Sequence, residues 1–320
     1  MSRDPLHVFL ILFSLLVTLF SVVLCSLAYF ADNSESTWFK NNKQDVASVY
    51  HTVITPSAWV NGLWGLIYLW QVTWILHHLY TICKKQADGY NEAISTGLVA
   101  TYTLAISILN SAFFCYDRYY FIVYLPLLCI TSLLFLTCLG IHVYNVSKLR
   151  REFFQTFRSN FVRRHVFFQN GMAFIFAWSG LEALLSLAVI LVYQTGQTQN
   201  VSGVVSLSLL VFFMLISVLV ENSFHEKFAT YIFAHWLVVI WLLIGCLTEN
   251  WDTSSATCIA VIVILCFSVV YFLSKSYLAM QRYRRIKIPH RSATVAQKYP
   301  SKNTMRGNEK SVKLRQQLQF

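Results

Sequence analysis

The chain has 320 residues, of which 56% are hydrophobic and only 12% charged, and its formal net charge is +11. Soluble domains carry about twice that charge fraction, so the composition excludes a water-soluble globular protein. The apolar runs show no strand-like alternation, which argues against a barrel and leaves an all-α, polytopic transmembrane helical bundle whose helices satisfy their own backbone hydrogen bonds.

A hydrocarbon core roughly 30 Å thick is crossed by about 20 mainly apolar residues. Eight runs approach that length, at 7–30, 58–83, 93–114, 120–143, 170–193, 201–220, 228–247 and 256–278. The first run follows Arg3 and is read as an uncleaved spanning helix. The alternative is a signal cut near Ser26-Leu27-Ala28, which would leave seven spans and a receptor-like layout. The polar loop 31–55 has mixed charge and room for a short helix around 44–50. The second run is rich in tryptophan. Trp59 suits the aromatic belt of a membrane interface, whereas Trp64 and Trp70 are deeper and need packing or a flat ligand.

Charge orients the runs. Lys84 and Lys85 follow the second, and Lys148, Arg150, Arg151, Arg158, Arg163 and Arg164 crowd the loop after the fourth. Arg282, Arg284, Arg285, Lys287 and Arg291 open the tail, while 194–200 and 248–255 contain no lysine or arginine. Positive residues stay on the cytosolic side, so both termini are expected there, in the plasma membrane or an endomembrane. The division that follows is a membrane bundle over 1–281 and a basic, disordered cytosolic tail over 282–320, too poor in apolar residues to fold. Membrane lipids are the expected partners of the basic segments. No nucleic-acid partner is expected, because these charges sit where topology alone puts them. The sequon at Asn200-Val201-Ser202 falls outside, and the one at Asn145-Val146-Ser147 falls in the cytosol and should be silent.

Ionisable groups within apolar runs carry the strongest functional signal, since they are costly there. Glu182 stands inside the fifth run. It is read either as a ligand contact or proton-coupled site, or as a protonated acid making one helix–helix hydrogen bond. His235, in the seventh run, is its expected partner. Asn61 and Asn110 either bridge helices or line a pocket. Gly62, Gly65 and Gly180 suit close helix packing, within one chain or between two in a homo-oligomer. Cys246 and Cys258 flank a short outside loop where a disulfide is open to them. The triplet Asp117-Arg118-Tyr119 reads as a charged hairpin. No Ser/His/Asp set, HExxH, P-loop or acid pair at helical spacing is present. No enzyme activity, cofactor or metal is therefore expected.

The segment Ile54-Thr55-Pro56-Ser57-Ala58-Trp59-Val60-Asn61-Gly62-Leu63-Trp64-Gly65-Leu66-Ile67-Tyr68 resembles a signature of the TspO/translocator-protein family and its tryptophan-rich sensory relatives. Leu109-Asn110 with Phe113-Phe114 resembles the end of that family's third helix, and the stretch from Phe174 to Glu182, with Trp178, its fifth. The chain as a whole is similar to a set of animal multi-pass proteins distantly related to TspO, through Asn170-Gly171-Met172-Ala173, Glu221-Asn222 and Val238-Val239-Ile240-Trp241. The resemblance implies a five-helix TspO-like part over 6–194, followed by three additional spans over 201–281. It implies a pocket for a small apolar ligand, a sterol, tetrapyrrole or lipid, with Trp59, Asn61, Trp64, Tyr68, Asn110 and Trp178 as candidate contacts. A sensor or carrier is the function expected on these grounds. A proton-coupled transporter or channel using Glu182 and His235 is the alternative, alongside the seven-span receptor.

Overall fold

The computed structural model describes residues 4–30, 39, 41, 43–84, 93–117, 120–153, 158–223 and 232–298. Nine α-helices run through them: α1 (Pro5–Phe30), α2 (Lys43–Val49), α3 (Leu63–Cys83), α4 (Thr96–Asp117), α5 (Phe121–Phe153), α6 (Arg158–Val189), α7 (Gln199–Ser223), α8 (Ala234–Glu249) and α9 (Ala256–Lys298). A 3-10 turn, Ala58–Gly62, leads into α3, and a π-helical turn, Ile190–Gln194, ends α6. No strand occurs among the described residues. The chain divides into two units, Met1–Ser276 and Tyr277–Phe320. The bundle below belongs to the first, and the second carries the remainder of α9 to Lys298.

The described part of each expected apolar run lies mostly in a helix, residues 228–231 of the seventh falling outside the described residues, and the short helix expected around 44–50 is α2. Among the described residues, six helices are long and apolar enough to cross a membrane: α1, α4, α5, α6, α7 and α9. The other two runs differ for physical reasons. α8 has 16 residues, several short of about 20. α3 has 21 residues but spends them on Gln71, His77, His78 and aromatic side chains with polar ends. The hairpin at Arg118 and Tyr119, the turn after Ser223 and the tail beyond 298 lie outside the described residues.

α6 is the central helix, packing on α3, α5, α7 and α8, while α1 packs on α3 and α4. Apolar side chains cover the outside: Phe9 and Leu16 on α1, Phe212 and Leu219 on α7, Val263 and Val270 on α9 are all exposed. In lipid such a face is solvated, so the helices are held by interior packing and polar contacts rather than by avoidance of the surroundings. Small hydroxyls are satisfied locally. Thr18 donates to the Ser14 carbonyl at 2.7 Å, Thr103 to Val99 at 2.8 Å and Ser186 to Glu182 at 2.9 Å. This i−4 bonding is how serine and threonine enter apolar helices without an orphaned group.

Tryptophan and glutamine clamp α3 to α6. The Trp70 indole N–H donates to the Phe167 carbonyl at 3.0 Å, and the Gln71 amide donates to the Gly171 carbonyl at 2.9 Å. Trp74 in turn donates to the Gln71 side-chain oxygen at 2.7 Å. Trp70 is thus held by packing and a backbone bond. The α6 backbone comes this close because position 171 is glycine: a Cβ there would lie 2.7 Å from Trp70 Cδ1.

Glycine serves the same purpose at further joints. Of the three expected from sequence, Gly180 faces Ser132 Oγ at 3.2 Å, while no neighbour within the chain lies within 4 Å of where a Cβ would stand on Gly62 or Gly65. A Cβ on Gly203 would meet Val53 Cγ2 at 2.8 Å, and one on Gly245 would overlap Val60 Cγ2. These contacts press α7 and α8 against the segment that enters α3. Ser57 N–H seals the second joint by donating to the Gly245 carbonyl at 3.1 Å.

α8 begins without a side-chain cap of its own. Asn170 on α6 supplies one, its side-chain oxygen accepting from Phe233 N–H and Ala234 N–H at 3.0 Å each. Asn170→Ala strands both buried donors, and the expected cost is about 1–3 kcal/mol. A lowered unfolding midpoint, with faster hydrogen exchange confined to the start of α8, is the result to look for. Unchanged exchange there would show that the cap is dispensable.

Candidate functional site

The start of α3, the end of α4, the start of α5 and the last two turns of α6 meet at one end of the bundle. There α6 delivers Glu182, a carboxylate 5% exposed. A bare carboxylate so deep in an apolar bundle is strongly disfavoured, and this one has three partners. Lys43 Nζ approaches Glu182 Oε1 at 2.6 Å. The Trp64 indole N–H donates to the same oxygen at 3.3 Å. The Tyr124 hydroxyl donates to Oε2.

Lys43 comes from the loop between the first two spans. α2 turns Lys43 and Val46 inward together, as residues three apart on a helix do. The ammonium, like the carboxylate, is about 5% exposed. Besides Glu182 it faces three aromatic rings, with centroids at 5.4 Å (Tyr116), 5.6 Å (Trp64) and 5.7 Å (Phe113). Ring faces carry partial negative charge and attract a cation within about 6 Å. Behind them the aromatic cluster continues: Trp64 stacks on Tyr68 at 5.3 Å and meets Trp178 edge-on at 6.0 Å. Tyr50, one residue past α2, anchors that helix by edge contacts with Phe121 and Tyr193.

Beside the ion pair lies a cavity of about 60 Å³. Lys43 and Tyr50 bound it on the α2 side; Asn61, Tyr116, Tyr124 and Glu182 face it from the bundle. Ser186 and Val189 line it just before α6 loosens into the π turn. Such turns often sit at functional positions, and this one is finished by Gly196 at φ 71°.

Of the residues singled out from sequence, Trp64, Tyr68, Trp178 and Glu182 come together, and Asn61 faces the cavity. Asn110 is buried one turn before Phe113, and its side-chain oxygen and the Trp178 indole nitrogen find no hydrogen-bond partner among the described residues. Trp59 lies apart, 44% exposed and edge-on to Trp241 at 5.1 Å. The partner of Glu182 is Lys43, not His235. Lys43, Tyr116 and Tyr124 had not been anticipated. A lysine in a polar loop looks the same in sequence whether it is solvated or buried; the one available signal was that a short helix places it three residues from Val46.

His235 belongs to a second cluster, on the helices that follow α6. Its Nε2 lies 2.9 Å from Glu221 Oε1, and Lys275 Nζ lies 2.7 Å from Glu221 Oε2. Tyr271 donates to Glu221 at 3.0 Å, and Lys275 also donates to the Ile232 carbonyl. The apolar span of α7 stops at Leu219, so Glu221 stands beyond it. Burial opposes its charge, but the His235 bond and the His235 and Lys275 charges outweigh burial and hold it below the usual carboxylate range. Its stabilising contribution is complete above that range and is lost as pH falls through the lowered value. Glu221 stands 18 residues along α7 from Gly203, about 27 Å at 1.5 Å per residue. Because Gly203 touches Val53 near the Glu182 end, the two clusters occupy opposite ends of the bundle.

Cys246 and Cys258 are both unbridged thiols. The Cys246–Cys258 disulfide is absent, since the Cys246 thiol is turned onto the Ile54 carbonyl at 3.0 Å. Asn145 of the second sequon donates its amide to the Ala93 carbonyl at 3.0 Å. No group of three or more metal-ligating side chains occurs among the described residues.

Neither the curated proteins nor the solved structures contain a significant match to the chain. A family model described as TSPO-like protein matches residues 8–274, which includes the aromatic cluster, Glu182, α7, α8 and α9 as far as residue 274. This multi-pass membrane protein belongs to the TSPO-like protein family.

Proposed function

We propose that this protein is a membrane sensor or carrier that binds a small apolar ligand in the cavity at the Glu182 end of the bundle, and that it binds rather than transforms that ligand. The observation that carries the reading is the cavity itself. It lies within the stretch matched by the family model, between aromatic faces and a few convergent polar groups, which is the usual make-up of a ligand site.

Its volume sets a condition. Drug-sized molecules fill roughly 300–1,000 Å³, against about 60 Å³ here. A sterol or tetrapyrrole therefore requires the cavity to widen while the Lys43–Glu182 pair stays in place. The basic segments support a topology with both termini in the cytosol, which puts the cavity on the non-cytosolic face.

The test is native mass spectrometry of the detergent-purified protein, identifying what co-purifies. Trp64→Phe and Asn61→Ala keep most of the packing and alter the site, and each is expected to lower ligand occupancy about tenfold, roughly the worth of one polar contact. Equal occupancy in both variants would place the ligand elsewhere and end this assignment.

A further inference from the structure

The Lys43 ammonium is held as a cationic ligand would be. A carboxylate lies 2.6 Å from it and three aromatic rings surround it at 5.4–5.7 Å. A cation faced by several ring faces is the recurring way proteins recognise ammonium groups. The two halves of the ion pair differ in how they are mounted. Glu182 is fixed inside the central helix, whereas Lys43 is carried by the 7-residue α2 on a flexible stem. Lys43 is the half that can leave.

Charge decides what can replace it. A buried carboxylate stripped of its cation is strongly destabilising. A neutral or anionic ligand that displaced Lys43 would leave Glu182 in that condition. A ligand ammonium restores the same balance, using the same carboxylate and the same rings. The cavity alongside, together with the space vacated by the lysine stem, takes the first carbons of the chain it is attached to.

We infer that the Glu182 site recognises a primary alkylammonium group, for which the Lys43 side chain is the internal stand-in. The inference rests on the reading of this cavity as a ligand site and adds the chemistry of the ligand's head. Two sources carry that group: a soluble alkylamine, and a membrane lipid with an ethanolamine headgroup.

The experiment uses the full chain carrying Lys43→Ala, which removes the stand-in. In phosphatidylcholine nanodiscs this variant should unfold at a lower temperature than the wild type. n-Butylammonium chloride, whose carbon chain matches the lysine stem, should restore at least half of the lost midpoint in a saturable way. n-Butanol, and sodium chloride at matched ionic strength, should restore none. Lys43→Ala/Glu182→Gln should not respond. If Lys43→Ala does not fold unaided, the readout becomes the yield of monodisperse protein purified with and without n-butylammonium. Recovery in phosphatidylethanolamine nanodiscs without added amine assigns the group to a lipid headgroup; recovery with n-butylammonium alone assigns it to a soluble amine. No recovery in any arm, or equal recovery by n-butanol, overturns the inference. A neutral ligand that co-purifies with the wild type while the amine does nothing would remove this inference and leave the broader binding function standing.

Discussion

Glu182→Ala is expected to destabilise the bundle by about 3–5 kcal/mol, because it leaves the Lys43 ammonium buried without its anion. Folded proteins hold only about 5–15 kcal/mol in reserve, so the loss takes roughly a fifth of the total at the least. The Trp64 and Tyr124 donors lose their acceptor in the same step. A paired substitution separates charge from packing. Lys43→Met/Glu182→Gln removes both charges, keeps an acceptor oxygen for the Trp64 indole and turns an amide NH2 toward the Tyr124 hydroxyl, which can accept from it, and it should regain most of the loss. Chemical or thermal unfolding in nanodiscs, followed by tryptophan fluorescence, measures all three proteins. If Glu182→Ala unfolds like the wild type, the pair is not buried as described. If the double variant is as weak as the single one, the pairing of charges is not what Glu182 contributes.

Trp64→Ala is expected to cost a similar amount, about 3–5 kcal/mol, the usual range for emptying a large aromatic site in a packed core. Trp64 is 1% exposed and meets Tyr68, Phe113 and Trp178 at ring-centre distances of 5.3, 5.4 and 6.0 Å. Its indole N–H also serves Glu182, which adds the penalty of a carboxylate with one donor fewer. Trp64→Phe keeps a ring against the same neighbours and loses the donor, so it should fall well short of the alanine cost. The unfolding midpoints of the two variants decide the matter: a small loss in both would mean that Trp64 lines open space rather than filling the core. The same comparison explains why a ligand-binding test requires phenylalanine. An alanine there would unsettle the bundle and the site together.

Much of the architecture was legible in the chain because a bilayer demands long uninterrupted apolar runs, and these are local. The same holds for the members of the aromatic cluster. Trp64, Tyr68 and Trp178 stand in apolar runs, and Glu182 is conspicuous as the charge within one. What could not be read is what depends on two distant segments meeting. Lys43 reaches Glu182 across 139 positions. His235 pairs with Glu221 and Lys275 because α7, α8 and α9 converge at the far end, and nothing in the apolar run that holds His235 distinguishes Glu221 from Glu182 as its partner. Tyr124 is one aromatic residue among many in an apolar run until its hydroxyl is seen to point at a carboxylate. Which glycines pack within the chain depends on the same meeting of distant segments. Gly62 and Gly65 lie on an accommodating stretch, whereas Gly171, Gly203 and Gly245 are needed because a neighbouring side chain presses on the backbone there.

The distance between Lys43 and Glu182 along the chain also orders events at birth. At about 5–20 residues per second, a ribosome delivers Glu182 on the order of ten seconds after Lys43. During that interval the lysine has no carboxylate to join and stays in water beside the nascent helices. When α6 emerges, its acid can settle into the apolar layer as an ion once α2 comes down to meet it. Capture of the loop by the late helix is therefore an assembly step, and a nascent chain that fails at this step offers quality control an unpaired acid inside the membrane.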